Sequence, residues 1–301
     1  MYYYSLNEYL KNTFGSKVYK ISLNGGMTCP NRDGTLSDKG CIFCSKGGSG
    51  EFSADCKLSI TEQIEQAKLR VKSKIKTDKY IAYFQAFTNT YAPVEHLRKI
   101  FTEAINHREV VALSIATRPD CLGDDVLDLL SQLSEIKPVW VELGLQTIHK
   151  KSSDYIRRCY ELPIYDNAVK ELKSRNIQVI THIILGLPNE SVEEMLQSVA
   201  YVGKFSDGIK LQLLHILKGT DLADDYNNGK FDVLTLEEYT DILCKAVEIL
   251  PKEVVIHRLT GDGDKKLLIA PLWSADKKRV LNTINKAFNE RNIIQGKREY
   301  I

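Results

Sequence analysis

The sequence lacks the features that direct a chain to a membrane or across one. Its first ten residues, MYYYSLNEYL, carry neither the basic segment nor the apolar core of a secretory signal. Its apolar runs all fall short of the roughly 18 residues that a membrane-spanning helix needs. We therefore expect a cytoplasmic protein with no membrane partner.

The sequence also has little net charge of either sign. Its 41 Lys and Arg residues and 39 Asp and Glu residues leave a formal charge of +2, with a pI near 8.0. So small an excess gives no argument for a nucleic-acid partner, although it leaves room for a local basic patch. Hydrophobic residues make up 43% of the 301 residues, enough to bury one large barrel or two small domains.

Internal repeats, low-complexity tracts and Pro/Ser-rich linkers are absent as well, and short β-branched runs alternate with amphipathic stretches. Several runs are apolar at nearly every position, which is typical of strands buried on both faces. The runs span residues 17–24, 80–87, 110–117, 139–146, 178–186 and 208–216. Helical patterns follow them, and the one after the fifth run starts with Ser191 and Glu194 at the spacing of a capping box.

Six consecutive strand-then-helix units predict a parallel sheet with right-handed crossovers. The expected fold class is therefore α/β, a partial (β/α)6 TIM-type barrel over residues 1–230. A loop over residues 25–56 should follow the first strand, at the end of the barrel where such folds keep their active sites. Residues 231–301 should form a small C-terminal α/β extension that packs on the barrel.

Cysteine is scarce, yet four of the seven cysteines lie between Cys29 and Cys56. The segment CPNRDGTLSDKGCIFC puts eleven residues between Cys29 and Cys41 and two between Cys41 and Cys44. Its Pro, Asn, Asp and Gly residues predict a loop, and clustered cysteines in a cytosolic protein favour metal binding. Three thiolates suit an iron–sulfur cluster with one open iron, whereas a structural zinc would need Cys56 as a fourth ligand. We favour the cluster.

Several segments together resemble a known family: CPNRDG with GCIFC, YFQAFTNTYAP, TRPD, VELGLQT, HIILGLPNE, LHILKGT and HRLTGDG. In this order they resemble a subgroup of radical S-adenosylmethionine (SAM) enzymes that is similar to the catalytic subunit of elongator. The resemblance implies a 4Fe–4S cluster on Cys29, Cys41 and Cys44 whose open iron chelates SAM. It also implies an external one-electron reductant of the flavodoxin or ferredoxin type, cleavage of SAM to a 5′-deoxyadenosyl radical, and hydrogen abstraction from a substrate.

The resemblance implies further that SAM is contacted at the ends of the second to fifth strands. The residues concerned are Gln85, Ala86, Phe87, Thr88, Thr117, Arg118, Glu142, Gln146, His182 and Leu187. Glu142 and Gln146 are four residues apart on one strand, so their side chains should share a face. For Arg118 the alternative is a salt bridge at the barrel rim, and for Glu142 it is a buried structural ion pair.

Substrate contacts are expected around the same mouth of the barrel. The candidates are Asn89, Tyr160, Gln212, His215, His257, Arg258 and Asp262. For the two histidines the alternative is a satisfied core position, and for Asp262 it is a solvated turn. Residues 157–160 read Arg-Arg-Cys-Tyr where we expect the subgroup to have Asn-Arg-Gly-His, and this departure suggests a specialised substrate.

The function that we expect from this resemblance is that of a lyase acting on a small queuine-like 7-deazaguanine nucleobase, in queuine salvage. The first alternative is a radical SAM enzyme that modifies tRNA, with phosphates held by basic residues of the C-terminal tail. The second alternative is a non-catalytic iron–sulfur or zinc-binding protein, against which the SAM-related segments on four strands argue.

Overall fold

The main sheet consists of parallel strands that follow one another in chain order. The computed structural model describes residues 2–48, 50, 53–72, 77–261 and 263–299. The sheet contains β1 (Tyr19–Leu23), β2 (Tyr80–Phe84), β3 (Val110–Thr117), β4 (Val139–Gln146), β5 (Gln178–Leu185), β6 (Gly208–Leu213) and β8 (Val255–Arg258). Beside it, β7 (Ile216–Leu217) pairs antiparallel with β9 (Leu268–Ala270).

This topology confirms the predicted partial TIM-type barrel. Strand order follows chain order and neighbouring strands are parallel, as right-handed crossovers in a barrel require. The main sheet has seven strands, one more than the six predicted. The additional strand is β8, which pairs with β6 and places Val255 opposite Gly208. The C-terminal residues thus extend the sheet, while the predicted division of the chain near residue 230 stays a prediction.

The helices of the described residues connect the strands and cover the sheet. They are α1 (Leu6–Phe14), α2 (Ile60–Val71), α3 (Val94–Asn106), α4 (Asp124–Ser134), α5 (Lys150–Tyr155), α6 (Leu162–Ser174), α7 (Val192–Phe205), α8 (Asp221–Asn227), α9 (Leu236–Ile249) and α10 (Lys277–Glu290), with 3-10 turns at Pro119–Cys121 and Leu272–Ala275. The predicted capping box at the start of α7 is confirmed, since Ser191 and Glu194 bond each other's backbone N–H groups. The same device starts α2 and α9.

Alternation along the strands separates an apolar outer face from an inner face that becomes polar toward the strand ends. On β4, Val141 and Leu143 belong to the apolar core, whereas Glu142 and Gly144 line the interior of the barrel. Both faces of the strands are shielded from solvent, because helices cover one side and the barrel encloses the other. This explains why the sequence pattern indicates strands buried on both faces. Polar side chains on alternate positions therefore converge on one enclosed space.

Candidate active site

One cavity of about 610 Å³ extends through the barrel from the cysteine loop to the middle of the strands. Its volume lies within the range of about 300–1,000 Å³ that is usual for small-molecule sites. Most predicted site residues line it: Cys29, Cys41, Cys44, Gln85, Phe87, Thr88, Thr117, Arg118, Glu142, Gln146, Tyr160, His182, Gln212, His215 and Arg258. The structure therefore brings the predicted cluster, SAM and substrate residues to the same space.

Four other predicted residues lie off the cavity wall. The Asn89 amide donates to the Ala116 carbonyl at 2.8 Å, and Leu187 packs in a small apolar cluster. Ala86 is buried, and the His257 ring lies against Trp140 with centroids 5.9 Å apart. Asp262 lies outside the described residues. The roles predicted for these residues remain predictions.

The cysteine loop at the mouth of the cavity is held largely through its backbone. The Arg32 guanidinium donates to the carbonyls of Cys44 and Ser45, each at 2.6 Å. The Asn31 amide donates to the Arg157 carbonyl at 2.6 Å and contacts the Cys41 sulfur at 3.4 Å. A turn with Cys44 N–H donating to Cys41 O at 3.0 Å sets the short spacing of this pair. These bonds hold the loop around the three thiols.

The three thiols fit a 4Fe–4S cluster with one open iron. All three line the cavity, whereas Cys56 is exposed and is not part of the described lining. Burial, together with the nearby Cys44, raises the pKa of Cys41 to about 12. Its sulfur would therefore carry a negative charge at neutral pH only when a metal centre takes up that charge. Cys29, Cys41 and Cys44 are the residues that would hold the cluster.

The opposite end of the cavity, which we call the floor, is organised by Glu142. This side chain is fully buried, and its Oε1 accepts from Lys20 Nζ at 2.6 Å and Ser114 Oγ at 2.7 Å. Its Oε2 accepts from His182 Nε2 at 2.7 Å and from Lys210 Nζ. Burial alone would raise the pKa of Glu142, but the two lysines and His182 hold it well below its usual range.

Four donors occupy the four acceptor positions of the Glu142 carboxylate. These contacts make Glu142 part of a buried ion pair. For this residue, a buried ion pair is the alternative to a contact with SAM. Gln146, which shares the strand, lies at its end with φ +66°, after a register shift between Gly144 and Gln146. Both residues line the cavity, and their contact with SAM stays a prediction.

Glu142 only partly stabilises the protonated forms of the basic side chains at the floor. Burial lowers the pKa of Lys210 to about 7, although Glu142 opposes that shift. Burial, with Lys210 adding to the effect, lowers the pKa of His182 to about 4. The ammonium groups of Lys20 and Lys210 lie 4.5 Å and 4.7 Å from the centre of the Tyr83 ring, which gives each a cation–π contact.

Two arginines and Tyr160 form one side wall of the cavity. Arg118 forms a salt bridge at the barrel rim, which is the alternative expected for this residue. It donates two hydrogen bonds to the Asp120 carboxylate, at 2.9 Å and 2.7 Å. The Tyr160 ring lies 5.2 Å from the Arg118 guanidinium and 4.3 Å from that of Arg158. Arg158 is buried and donates to the carbonyls of Leu145, Thr147 and Tyr160. Residues 157–160, where this sequence differs from the pattern expected for the subgroup, thus support the end of β4.

Sequence-based prediction misses four floor residues: Lys20, Tyr83, Ser114 and Lys210. A signal existed for Lys210, because it is a lysine inside an apolar run and lies two residues before Gln212, hence on the same face. Tyr83 and Ser114 have no such signal, because tyrosine and serine are common in strands.

Among the described residues, no helix combines the length and the apolar character needed to cross a membrane.

Family models match most of the chain. A model described as the radical SAM superfamily matches residues 29–202, and one described as the radical SAM C-terminal domain matches residues 206–290. The Bacillus subtilis protein YtqA is 46% identical over 296 residues, which are 98% of this chain and 92% of YtqA.

Two further similarities have lower sequence identity. The tRNA uridine(34) acetyltransferase of Methanocaldococcus jannaschii is 29% identical over 173 residues, which are 56% of this chain and 31% of that protein. The solved structure of the archaeal Methanocaldococcus infernus Elp3 with an N-terminal deletion has a TM-score of 0.71 and 19% identity, and covers 92% of this chain. This chain spans 64% of that Elp3 chain, and the likeness establishes a shared fold.

Proposed function

Since the chain belongs to the radical SAM superfamily and is a radical SAM enzyme, we propose that its substrate is a small molecule enclosed in the barrel. The specific candidate is a queuine-like 7-deazaguanine nucleobase, split in a lyase reaction that releases the deazaguanine amine. The observation that carries the proposal is the single cavity that joins the three cysteines to a polar floor.

The cofactors of the superfamily are a 4Fe–4S cluster and SAM, and with one electron from an external reductant they supply a 5′-deoxyadenosyl radical for hydrogen abstraction. The protein's contribution is binding, orientation and exclusion of water. Cys29, Cys41 and Cys44 would hold the cluster, and Gln146, which lines the cavity at the end of β4, would contact SAM. Enclosure by strand side chains limits the positions that a substrate can adopt beside SAM.

The residues beyond the cysteines suit a planar heterocycle. Gln212 offers both a donor and an acceptor, and His215 offers one of each in its neutral form. Tyr160 presents a ring to the same space, between two arginines.

A tRNA substrate is the second candidate, and one observation favours it. Part of the chain is similar to a tRNA uridine(34) acetyltransferase, which by its name acts on tRNA. The similarity covers 56% of this chain and 31% of that enzyme, so it supports the shared barrel more than a shared substrate. A non-catalytic iron–sulfur or zinc-binding role does not agree with the membership of this chain in a superfamily of enzymes.

The test supplies the anaerobically reconstituted enzyme with SAM, dithionite and either queuine or a pool of unmodified tRNA. We expect 5′-deoxyadenosine and 7-aminomethyl-7-deazaguanine by mass spectrometry in the queuine reaction. The Cys29→Ala/Cys41→Ala/Cys44→Ala variant is the control and should form neither product. If SAM is cleaved, queuine stays intact and the tRNA changes mass, the nucleobase proposal is wrong and the tRNA candidate replaces it.

A further inference from the structure

Asn31 connects one of the three cysteines to a separate part of the barrel. This residue lies in the turn that starts at Cys29, whose carbonyl accepts from Arg32 N–H at 2.8 Å. The Asn31 side chain is fully buried, and its Nδ2 has two acceptors. Nδ2 donates to the Arg157 carbonyl at 2.6 Å and to the Cys41 sulfur at 3.4 Å. The amide therefore links the cysteine loop to the turn that follows α5.

The orientation of this amide follows from the chemistry of its two neighbours. A carbonyl oxygen and a thiolate sulfur are both acceptors, so the NH₂ group of the amide has to face them. The opposite orientation would place the amide oxygen against two acceptors. In the described part of the chain, the buried Oδ1 of Asn31 has no hydrogen-bond partner, which is unfavourable for an acceptor. The NH₂ group thus faces the sulfur although Oδ1 stays unpaired.

Further contacts hold the turn after α5 against the cysteine loop. Ile42, the residue after Cys41, donates its N–H to the Ile156 carbonyl at 3.1 Å, so a second bond from the loop ends on the same turn. Arg157 has φ +57°, in the left-handed region that non-glycine residues seldom adopt, and its side chain pairs with Asp221. The turn is held from several sides, so the amide between it and Cys41 has little freedom to move away from the sulfur.

We propose that Asn31 is a positioning residue whose N–H···S bond to Cys41 raises the reduction potential of the iron–sulfur cluster. Reduction by one electron makes a cluster and its thiolates more negative, and a donated hydrogen bond stabilises negative charge on sulfur. The bond is therefore stronger in the reduced state, which favours uptake of the electron. Because Asn31 is buried, water does not screen this electrostatic effect.

This inference goes beyond the proposed function, because it concerns reduction of the cluster with any substrate. It depends on the proposed assignment of Cys41 as a ligand of the cluster. Asn31 acts through that sulfur, and its effect should therefore appear in a property of the cluster itself, before any substrate is added.

Asn89 provides a matched comparison within the same chain. Its side chain is also fully buried, its Nδ2 donates to the Ala116 carbonyl at 2.8 Å, and its Oδ1 has no partner among the residues that the structure describes. Asn31 differs in the contact of Nδ2 with a cysteine sulfur. Leucine has a shape similar to that of asparagine but no N–H donor in its side chain. Leucine at each position therefore separates loss of the sulfur contact from loss of a buried amide.

The test measures the midpoint potential of the cluster in anaerobically reconstituted protein, without SAM or substrate. Electron paramagnetic resonance follows the reduced cluster during a titration with dithionite and redox mediators. Asn31→Leu should shift the midpoint potential to a more negative value. At the wild-type midpoint, its ratio of reduced to oxidised cluster should fall by about threefold or more, the scale of one weak hydrogen bond. Asn89→Leu should keep the wild-type midpoint potential. Iron content and circular dichroism confirm that each variant is loaded and folded.

Asn31→Ser is the second variant, for the case in which leucine disturbs the loop. Its hydroxyl ends one bond short of the position of the amide nitrogen, so it should lose the sulfur contact and shift the potential in the same direction. Resonance Raman spectra give an independent readout, because iron–sulfur stretching bands move in D₂O when exchangeable hydrogens bond to the sulfurs. The bands of the wild-type protein should move, and those of Asn31→Ser should move less.

Three results would overturn the inference. The first is a wild-type midpoint potential in loaded and folded Asn31→Leu and Asn31→Ser. The second is an equal shift in Asn31→Leu and Asn89→Leu, which would assign the effect to loss of any buried amide. The third is loss of iron from both Asn31 variants, which would assign the residue to retention of the cluster. Iron that stays bound after all three cysteines are replaced would instead contradict the proposed cluster site, so the two failures are distinguishable.

Discussion

The two ends of the cavity are built by different means. At the mouth, an irregular loop is held through its backbone, with Arg32 and Asn31 donating to main-chain carbonyls. At the floor, regular strands hold charged side chains, and one buried carboxylate joins β1, β3, β5 and β6 to β4. The cysteines of the mouth are partly accessible, whereas Glu142 is fully buried.

This difference separates what each end does for the protein. Loop anchors that bond to backbone leave the cysteine side chains available for a cluster, so loss of the cysteines should cost function and little stability. The floor couples five strands through the contacts of one buried carboxylate, so loss of that central residue should cost stability first.

The largest effect should come from the cysteines. Replacing Cys29, Cys41 and Cys44 together with Ala should lower the iron content from about four per chain to none, because no other described thiol lines the cavity. Iron and sulfide analysis and absorbance near 400 nm measure the loss, and circular dichroism should show a retained fold. Cys56→Ala is the matched control. Loss of iron in the Cys56 variant would indicate a four-cysteine site instead.

Glu142→Ala should break the floor. It leaves the buried Lys210 and the half-buried Lys20 without their carboxylate, and removing one partner of a buried ion pair costs about 3–5 kcal/mol. Urea denaturation of the cluster-free triple-Ala background measures the free energy of unfolding. Asp154→Ala removes an exposed ion pair with Lys150 and should cost less than about 1 kcal/mol. Equal costs for the two substitutions would contradict the different construction of the two ends.

Acid should weaken the floor before it affects the mouth. The folded-state pKa of His182 is about 4, below its ordinary value of 6.5, so the unfolded chain binds the proton more readily and stability falls as the pH drops from 6.5 toward 4. Glu142, whose folded-state pKa is lowered, adds a loss below its ordinary value of 4.5.

The His182 part of this loss is about 2 kcal/mol between pH 7 and 4.5. Urea denaturation of the cluster-free background at several pH values measures it, so that acid lability of a cluster does not enter. His182→Gln should flatten the profile over this window. A slope that the substitution leaves unchanged would place the titrating group elsewhere.

The smallest effect concerns the region between the two ends. Gln146→Ala should weaken SAM binding by about tenfold and leave iron content and stability near wild type, since Ala and Gln share the cost of the positive φ at this position. Calorimetric titration with SAM measures the change. Gln178→Ala, at the far end of β5 and bonded to Tyr9, is the control and should leave SAM affinity unaltered. Unaltered SAM affinity in Gln146→Ala would remove this residue from the SAM site.

Local patterns account for the part of the site that could be predicted from sequence. The cysteines lie within sixteen residues of one another, so their spacing alone indicated a common ligand. A register shift between β6 and β8, which no local rule indicates, decides one placement. It pairs Arg258 with Lys210 and passes over His257, so strand parity fails there: Arg258 lines the cavity, and His257 packs against Trp140, two residues before Glu142 on β4.

The sequence by itself determined the α/β class, the parallel strand order and the cysteine loop, because apolar periodicity and short-range spacing specify each of them. Only the tertiary structure decided that Lys20, Lys210 and His182 meet on Glu142, that Arg118 is paired with Asp120, and that β8 joins the sheet. These contacts, apart from that of Arg118, join residues 40 or more positions apart, and they depend on strand register and barrel curvature. A polar residue within an apolar run does not reveal its partner. Burying it without a hydrogen bond is equally unfavourable whichever partner would supply that bond.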